Sequence, residues 1–169
     1  MNEKDKMDIA LERMRYCPES GGLFRTCDCD SWKSGDRVYE RSSGGYRVIK
    51  MDIRGKPFEI RVHRIGFYFM TGQLPKVIDH VNGIRFDNRW VNIRSVTDQQ
   101  NCANRRPWGK LGVKGVIKTK SGKFRANIRI DKQNITLGLF DRLSDAADAY
   151  DSAAYSVHGE YAWLNCDQS

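Results

Sequence analysis

The stretch Val77–Arg94, VIDHVNGIRFDNRWVNIR, places an aspartate and a histidine side by side at the end of a short apolar run. Adjacent residues of a strand point to opposite faces, so the carboxylate of Asp79 and the imidazole of His80 are expected to diverge. The carboxylate suits a hard cation, which prefers oxygen ligands. The imidazole titrates near neutrality and suits the activation of water. The pair therefore indicates hydrolysis assisted by a divalent metal.

The residues that follow predict a loop between two short strands, 77–81 and 91–96. Asn82-Gly83 and Asp87-Asn88 are turn formers within that loop. Asn92 is expected to tie the loop together through hydrogen bonds to the backbone. The structural alternative is an asparagine-rich surface loop around a core histidine.

Two further asparagines follow the second strand. Asn101 and Asn104 are three residues apart on a predicted helix, so they share one face. Either amide oxygen is a candidate second ligand for a metal held by Asp79.

The series of Asp79-His80, Asp87-Asn88-Arg89, Asn92-Ile93-Arg94 and Asn101 resembles the HNH nuclease family, in the form common among phage and intron-encoded homing endonucleases. The resemblance covers residues 63–104 and implies a ββα-metal module of two strands, a loop and a helix. It implies that His80 is the general base, that Asp79 and Asn101 are metal ligands, and that Asn92 is mainly structural.

The resemblance also implies one divalent ion, Mg²⁺ with Mn²⁺ as the alternative, and no small-molecule cofactor. His63 stands where the family often has a His-Arg pair, and a structural role is favoured over a catalytic one. Arg85, Arg89 and Arg94 are candidates for phosphate contacts, with surface ion pairing as an equal alternative for each.

The region 1–62 is interpreted as a β-rich support for this module. Met7, Ala10, Leu11 and Met14 form one stripe of a helix over residues 3–15. The other elements predicted up to residue 71 are the strands Leu23–Cys27, Tyr46–Ile53 and Pro57–His63, a hairpin turn at Arg54-Gly55-Lys56, and a helix Arg64–Thr71 ending at Gly72.

The charge of the chain is strongly segregated. Residues 105–134 contain ten Lys or Arg and one acid, whereas residues 141–169 contain one base and six acids, within a net charge of +8. A solvated charged surface is the alternative, but it does not predict such segregation. The distribution favours a polyanion-binding face, with double-stranded DNA as the expected partner.

Residues 105–111 lack periodicity and are interpreted as a linker to a second domain, 112–169. Strands are predicted at Gly112–Lys118, Lys123–Ile130 and Asn134–Phe140, followed by a helix from an N-cap at Ser144 to Val157. On the middle strand apolar and basic residues alternate, which predicts one covered face and one cationic face. On the third strand, Ile135, Leu137 and Leu139 are expected on one face. The helix is expected to end at Gly159 and to cover the apolar side of the sheet with the stripe Ala146, Ala147, Tyr150, Ala154 and Val157. The candidate DNA contacts of the chain are Lys114, Lys118, Lys123, Arg125, Arg129, Arg105, Arg106, Arg89 and Arg94.

Residues 112–165 also resemble an AP2-type DNA-binding domain, a module of plant transcription factors that also occurs fused to phage HNH nucleases. The motifs that carry the resemblance are Val113-Lys114-Gly115-Val116, Leu137-Gly138-Leu139-Phe140 and Ala162-Trp163-Leu164-Asn165. It implies a three-stranded antiparallel sheet packed on one helix. Ile117, Ser121 and Thr136 depart from the plant pattern, so a plant-type sequence preference is not implied.

The five cysteines are an odd number without a secretion signal, so a reducing cytoplasm is expected and a disulfide framework is not. The pair Cys27 and Cys29 lacks a partner pair at zinc spacing, and a structural zinc is the lesser alternative. The charged start, Met1–Lys6, leads into no apolar run, and no stretch is long enough to cross a membrane. A monomer is expected.

Together these patterns predict an α+β protein with an N-terminal sheet, a ββα-metal module and an AP2-like domain. The predicted function is site-selective cleavage of DNA. The alternatives are a sequence-specific DNA-binding regulator with an inactive nuclease module, and a structural or protein-interaction module without salt-dependent DNA affinity.

Overall fold

The computed structural model describes residues 2–28, 33–53 and 55–168. Within these ranges four α-helices accompany several small antiparallel sheets, so the chain is of the predicted α+β class. It divides into two units, residues 1–96 and 97–169. None of the helices in the described ranges has the length and apolar character that a membrane span requires.

The first unit contains three small sheets and two helices. Strands β1 and β2 pair with each other, β3, β4 and β5 form an antiparallel meander, and β6 pairs with β7. The elements are α1 (Glu3–Arg13), β1 (Met14–Tyr16), β2 (Leu23–Arg25), β3 (Arg41–Ser43), β4 (Tyr46–Ile53), β5 (Lys56–Arg61), α2 (Val62–Thr71), β6 (Val77–His80) and β7 (Ile93–Val96).

Helix α1 forms where the sequence predicts one. The side chain of Asn2 accepts a hydrogen bond from the backbone of Asp5, and the Asp5 carboxylate accepts one from the backbone of Asn2. This capping box satisfies amides that the first turn leaves without partners. Met7 and Ala10 lie on the stripe that the helix buries.

Helix α2 begins earlier than predicted. The sequence extends a strand to His63, but β5 ends at Arg61 and Val62 already belongs to the helix. Val62 and Ile65 are completely buried, three residues apart on one helical face. Gly66 lies against the ring of Tyr16, where an added Cβ would stand 2.7 Å from a ring carbon. Burial of this face therefore outweighs the strand preference of the preceding residues.

The core of the first unit lies between α1, α2 and the sheets. Its largest fully buried side chains are Tyr16, Met7, Leu23, Ile49, Ile65 and Val62. A smaller cluster of Phe67, Ile78 and Ile93 joins α2 to the β6–β7 pair, with Trp90 packed against it. The candidate catalytic strands are thus anchored to the helix that carries His63.

The second unit has a three-stranded sheet in the order β10–β9–β8. Ala146, Tyr150 and Ala154 of its long helix are buried against the apolar face of that sheet. The elements are α3 (Asp98–Ala103), β8 (Val116–Lys118), β9 (Phe124–Ile130), β10 (Gln133–Phe140) and α4 (Leu143–His158).

Strand β8 is shorter than predicted, because it begins at Val116 and not at Gly112. Gly112 and Gly115 have φ of +66° and +75°, in the left-handed region that an extended strand does not use. At Gly115 a Cβ would stand 1.9 Å from a ring carbon of Tyr150. The glycine therefore lets the chain pass over the tyrosine before pairing starts.

Strand β10 departs from the predicted alternation. Thr136 pairs with Asn127 but Gly138 pairs with Ala126, so Leu137 is an extra residue in a β-bulge. Leu137 packs into the core, whereas Leu139 pairs with Arg125 and is 53% exposed. The prediction that Leu137 and Leu139 share the covered face is wrong, because the bulge reverses the facing of the residues beyond it.

The start of α4 also differs from the prediction. Arg142 is the N-cap and makes no side-chain capping bond, while Ser144 lies inside the first turn and its hydroxyl donates to Asp145. The predicted end at Gly159 is confirmed, and its φ is +54°. Val157, predicted to belong to the buried stripe, is 41% exposed near this end.

Of the cysteines in the described ranges, Cys17, Cys27, Cys102 and Cys166 are free thiols. Cys29 lies outside the described residues, and the predicted Cys27–Cys29 pair therefore lies only partly within them. Arg54 of the predicted hairpin turn also lies outside them.

Candidate active site

Strands β6 and β7 position the Asp-His pair. Asp79 pairs with Arg94 and His80 pairs with Ile93 across the two strands. Asp79 is 8% exposed and His80 is 4% exposed. Because both side chains are buried, each needs a partner that offsets the loss of water.

The loop between these strands is held by its own asparagines. The Asn92 side chain accepts a hydrogen bond from Asn82 N at 2.9 Å and donates one to Asp87 O at 2.7 Å. Asn82 Nδ2 donates to the Asp87 carboxylate at 2.8 Å. Asn92 thus makes the backbone ties that the sequence predicts. The strand predicted from residue 91 starts at Ile93, because Trp90–Asn92 form a 3₁₀ turn that brings Asn92 back onto the loop.

Asn88 is a hydrogen-bond partner of His80. The amide oxygen of Asn88 lies 3.1 Å from His80 Nε2, and Asn88 is 2% exposed. An amide oxygen accepts, so this pairing assigns the imidazole proton to Nε2 and leaves Nδ1 as the basic nitrogen. The sequence marks Asn88 as a turn former and as part of the Asp87-Asn88-Arg89 motif, but it does not indicate that Asn88 is buried.

The N-terminal part of the unit holds Asn88 in place. The Tyr16 hydroxyl donates to Asn88 O at 2.5 Å, and Trp90 N donates to Pro18 O at 2.9 Å. Gly21 lies so close that an added Cβ would stand 2.4 Å from the backbone of Asn88 and Arg89. Burial raises the pKa of Tyr16 well above its ordinary range, so its hydroxyl keeps the proton that it donates.

His63 lies beside His80 in a cluster of rings. The ring centres of His63 and His80 are 5.1 Å apart at 89°, and Tyr46 lies 5.2 Å from His63 and 6.1 Å from His80. His63 is 3% exposed and its Nδ1 has no hydrogen-bond partner. Burial, followed by the charges of His80, Arg61 and Arg64, lowers the pKa of His63 to about 3. His63 is therefore neutral near pH 7.

Burial also lowers the pKa of His80, while the hydrogen bond to Asn88 and the charges of Asp79 and Asp87 act in the opposite direction. A histidine that is neutral near pH 7 is in its base form. The arrangement can therefore accept a proton from water without first losing one.

Asp79 is the candidate metal ligand on this unit. Arg94 Nε and Nη2 lie 3.3 and 3.2 Å from its Oδ2, so the arginine orients the carboxylate. An ionised carboxylate and an amide oxygen are hard donors of the kind Mg²⁺ prefers, so the residue types fit such an ion. Within the described residues, no group of three or more His, Cys, Asp or Glu is placed to hold a metal.

Asn101 and Asn104 belong to the second unit. The helix α3 starts at a capping box in which Thr97 and Gln100 exchange hydrogen bonds. Asn101 is half-buried on this helix, and its backbone N donates to Thr97 O at 3.0 Å. Asn104 is the C-cap and is 6% exposed.

The arginines of the loop and of β7 have different partners. Arg89 forms a two-point pair with Asp87, with distances of 2.8 and 2.6 Å, and this pair lowers the pKa of Asp87 to about 2. Arg94 pairs with Asp79. Arg85 donates to Gly44 O at 3.3 Å and is exposed. Surface ion pairing, the alternative raised by the sequence, is thus the arrangement found for Arg89.

On the sheet of the second unit, the alternation of β9 is as predicted. Ala126 and Ile128 are buried, while Arg125 and Arg129 are exposed on the opposite face. A groove on the second unit is lined by Arg125, Asn127, Asn134, Thr136, Ile117 and Trp108. Trp108 is 90% exposed.

Three other predicted DNA contacts of this unit, Lys118, Lys123 and Arg106, have protein partners. Lys118 lies 5.9 Å from the ring centre of Phe124, on the covered side, and Lys123 pairs with Asp141 at 2.9 Å. Arg106 lies 5.3 Å from the ring centre of Trp163, and Arg105 is exposed.

Lys114 is half-buried, and its Nζ donates to the carbonyl of Ala103. Burial lowers its pKa to about 8. Its backbone N donates to Asn165 at 2.8 Å, so this lysine is part of the packing between the start of the sheet and the C-terminal segment.

The sequence did not single out Asp151, which is buried on α4. Its carboxylate accepts hydrogen bonds from Asn165 N and Nδ2 at 2.9 and 2.8 Å and from Cys166 N at 2.9 Å. This carboxylate fastens the C-terminal segment to the helix. A buried acid beside two exposed ones on α4 gives no distinct sequence signal.

Two comparisons with known proteins bear on the site. Residues 61–103 match the family model described as HNH endonuclease. The chain is also similar to a solved structure of DNA binding and cleavage by the HNH homing endonuclease I-HmuI, with 23% identity and a TM-score of 0.43, over 54% of this chain and 51% of that one. The chain thus spans about half the length of that solved protein.

The family match contains the residues whose geometry is described above. It begins at the end of β5, includes Asp79, His80, Asn88 and Asn92, and ends within α3 after Asn101. The likeness of this chain to the HNH endonuclease family therefore covers residues 61–103.

Proposed function

We propose that this chain is a metal-dependent DNA endonuclease of the homing type. The observation that carries the proposal is the buried His80 imidazole, held by Asn88 at 3.1 Å within the segment that the HNH endonuclease model matches. A fixed and neutral imidazole is what a general base for hydrolysis requires.

In the proposed reaction, His80 Nδ1 takes a proton from a water molecule whose oxygen attacks a phosphorus of the DNA backbone. A new P–O bond forms, the bond to one bridging oxygen breaks, and that oxygen leaves with a proton from solvent. Asn88 accepts from Nε2–H throughout, so the imidazolium that forms is stabilised by the same hydrogen bond. The buried ring environment keeps His80 ready as a base before each turnover.

We assign the metal to Asp79 and Asn101, with Mg²⁺ or Mn²⁺ as the ion. When bound, such an ion would stabilise negative charge on the phosphate and on the departing oxygen. Asp79 supports the assignment through its orientation by Arg94. Asn101 is assigned by the sequence pattern, in which it stands at the last position of the motif. We assign Asn92 to the support of the loop and not to contact with the reacting atoms.

We assign DNA targeting to the sheet of the second unit, as an AP2-like module. Arg125 and Arg129 are exposed on its open face, and the groove residues Asn127, Asn134 and Thr136 supply neutral polar groups. Arginine reads guanine edges and amide side chains read adenine, so this mixture suits contact with the major groove. The α4 side of the sheet is covered and takes no part.

A DNA-binding regulator with an inactive nuclease module is the alternative. It would bind DNA without cutting it. Asp79, His80 and Asn101 are all present, whereas a module that had lost its activity is expected to have lost at least one of them.

The decisive test is incubation of supercoiled and linear DNA with Mg²⁺. We expect the wild type to convert supercoiled DNA into nicked circles or linear product, and EDTA or Asp79→Ala to stop the conversion. Cutting that persists in EDTA would exclude the metal role. DNA binding without any cutting by the wild type would favour the regulator.

A further inference from the structure

The surface next to His80 carries two arginines without acidic partners. Among residues 2–28, 33–53 and 55–168, neither Arg61 nor Arg85 forms an ion pair. The acids whose charges act on His80, Asp79 and Asp87, are each paired with a different arginine. Within the described part of the chain, positive charge therefore collects at this edge of the site without an acid paired to it.

Tyr46 brings the two arginines together. Cζ of Arg61 lies 4.4 Å from the centre of the Tyr46 ring, and Cζ of Arg85 lies 5.1 Å from it. The two like charges are thus less than about 10 Å apart, a distance comparable to the screening length of about 8 Å in physiological salt. Cation–π attraction to the ring offsets part of their repulsion.

The group formed by Tyr46, Arg61 and Arg85 adjoins the imidazole ring of His80. The Tyr46 ring centre is 6.1 Å from that of His80, and the charge of Arg85 acts to lower the His80 pKa. Both arginines are exposed while Tyr46 is half-buried, so their guanidinium groups face solvent on a fixed platform. Exposed Phe86 continues the surface, with Arg47 lying 5.9 Å from its ring centre.

We propose that Tyr46, Arg61 and Arg85 form a clamp that holds the backbone phosphates of the DNA strand beside His80. The inference rests on the proposed nuclease function and specifies which residues hold the cut strand. The planar, always charged guanidinium group binds phosphate oxygens through two parallel hydrogen bonds. A phosphate on the clamp supplies the negative partner that these two arginines lack among the described residues, and it places the strand within reach of the base.

The clamp predicts a distinct salt dependence of DNA binding. Each phosphate contact contributes about 0.9 to the slope of log affinity against log salt. We therefore expect Arg61→Gln and Arg85→Gln each to reduce that slope by about 1. Tyr46→Leu should weaken binding as well, and Tyr46→Phe should restore it because phenylalanine keeps the ring.

The experiment measures anisotropy of a labelled duplex of mixed sequence in EDTA, across a series of KCl concentrations. Lys50→Gln is the matched control, because Lys50 lies on the same sheet and is paired with Glu59 at 3.6 Å. The proposal is supported if the two arginine variants lower the slope and the control does not.

Unchanged slopes in both arginine variants, or an equal loss in Lys50→Gln, would overturn the clamp while leaving the nuclease assignment intact. A wild type that binds no DNA would overturn the proposed function, and the clamp with it. EDTA is present because it prevents metal-dependent cleavage of the labelled duplex while its binding is measured.

Discussion

The amide oxygen of Asn88 lies 3.1 Å from His80 Nε2, with both side chains at least 96% buried. Asn88 is fixed in turn by the Tyr16 hydroxyl and by close packing against Gly21. The orientation of the candidate base therefore depends on residues far away in the sequence, and this dependence is open to test.

Replacement of Asn88 by alanine should lower the cleavage rate at saturating DNA by about 10-fold or more, because the base loses its fixed orientation. DNA affinity should change little, since Asn88 is buried. Single-turnover cleavage and anisotropy measure the two quantities. Gln73→Ala, which alters an exposed amide of the same unit, is the control. An Asn88→Ala variant with the full rate would contradict the role given to this contact.

Tyr16→Phe removes the hydroxyl that donates to Asn88 O and leaves that carbonyl without this donor. We expect a loss of about 1–3 kcal/mol in unfolding free energy, together with slower cleavage. Tyr68→Phe is the control, because Tyr68 donates to Asp8 at 2.6 Å in the same unit. It should lose stability but not cleavage rate. Equal effects on cleavage in the two variants would reduce Tyr16 to a general packing role.

The pH dependence of stability follows from His63. Its pKa is about 3 in the folded chain and near 6.5 when unfolded, so the unfolded chain binds the proton first as pH falls. Stability is complete above pH 6.5 and declines below it, by about 2 kcal/mol at pH 5. The lowered pKa of His80 likewise makes the folded chain less stable as pH falls.

Denaturant titrations at pH 7 and pH 5 measure this effect. His63→Leu should flatten the decline, whereas His158→Gln, in the second unit, should retain most of it. An undiminished decline in His63→Leu would show that other groups control the acid sensitivity.

The carboxylate of Asp151 fastens the C-terminal segment of the second unit. Asp151→Ala leaves three donors without their acceptor, and we expect a loss of about 3 kcal/mol in unfolding free energy. Asp148→Ala on the exposed side of the same helix should stay within about 0.5 kcal/mol of the wild type. Thermal unfolding compares the stabilities of the two variants. Similar losses of stability would contradict the role given to the Asp151 hydrogen bonds.

The sequence predicts those parts of the fold that local patterns determine. The stripe of α1, the alternation of β9, the turn at Gly72 and the tie made by Asn92 are found as expected. Each depends on residues that lie close together along the chain. Likewise, the Asp79-His80 pair is recognisable because the motif is contiguous.

What the sequence does not predict depends on distant contacts. Tyr16 and Asn88 are 72 residues apart, so no local pattern indicates that one holds the other. The bulge at Leu137 and the burial of Asp151 arise from packing between strand, helix and C-terminal segment. The position of the α4 N-cap at Arg142 likewise follows from the fold and not from the capping preference of Ser144.

The most direct test of the account is the His80→Ala variant, measured for both cleavage and binding of the same DNA in Mg²⁺. We predict that cleavage disappears while affinity stays close to that of the wild type, because the buried His80 imidazole is not one of the exposed groups assigned to holding DNA. Cleavage at the wild-type rate, or equal loss of cleavage and binding in a folded variant, would contradict the account.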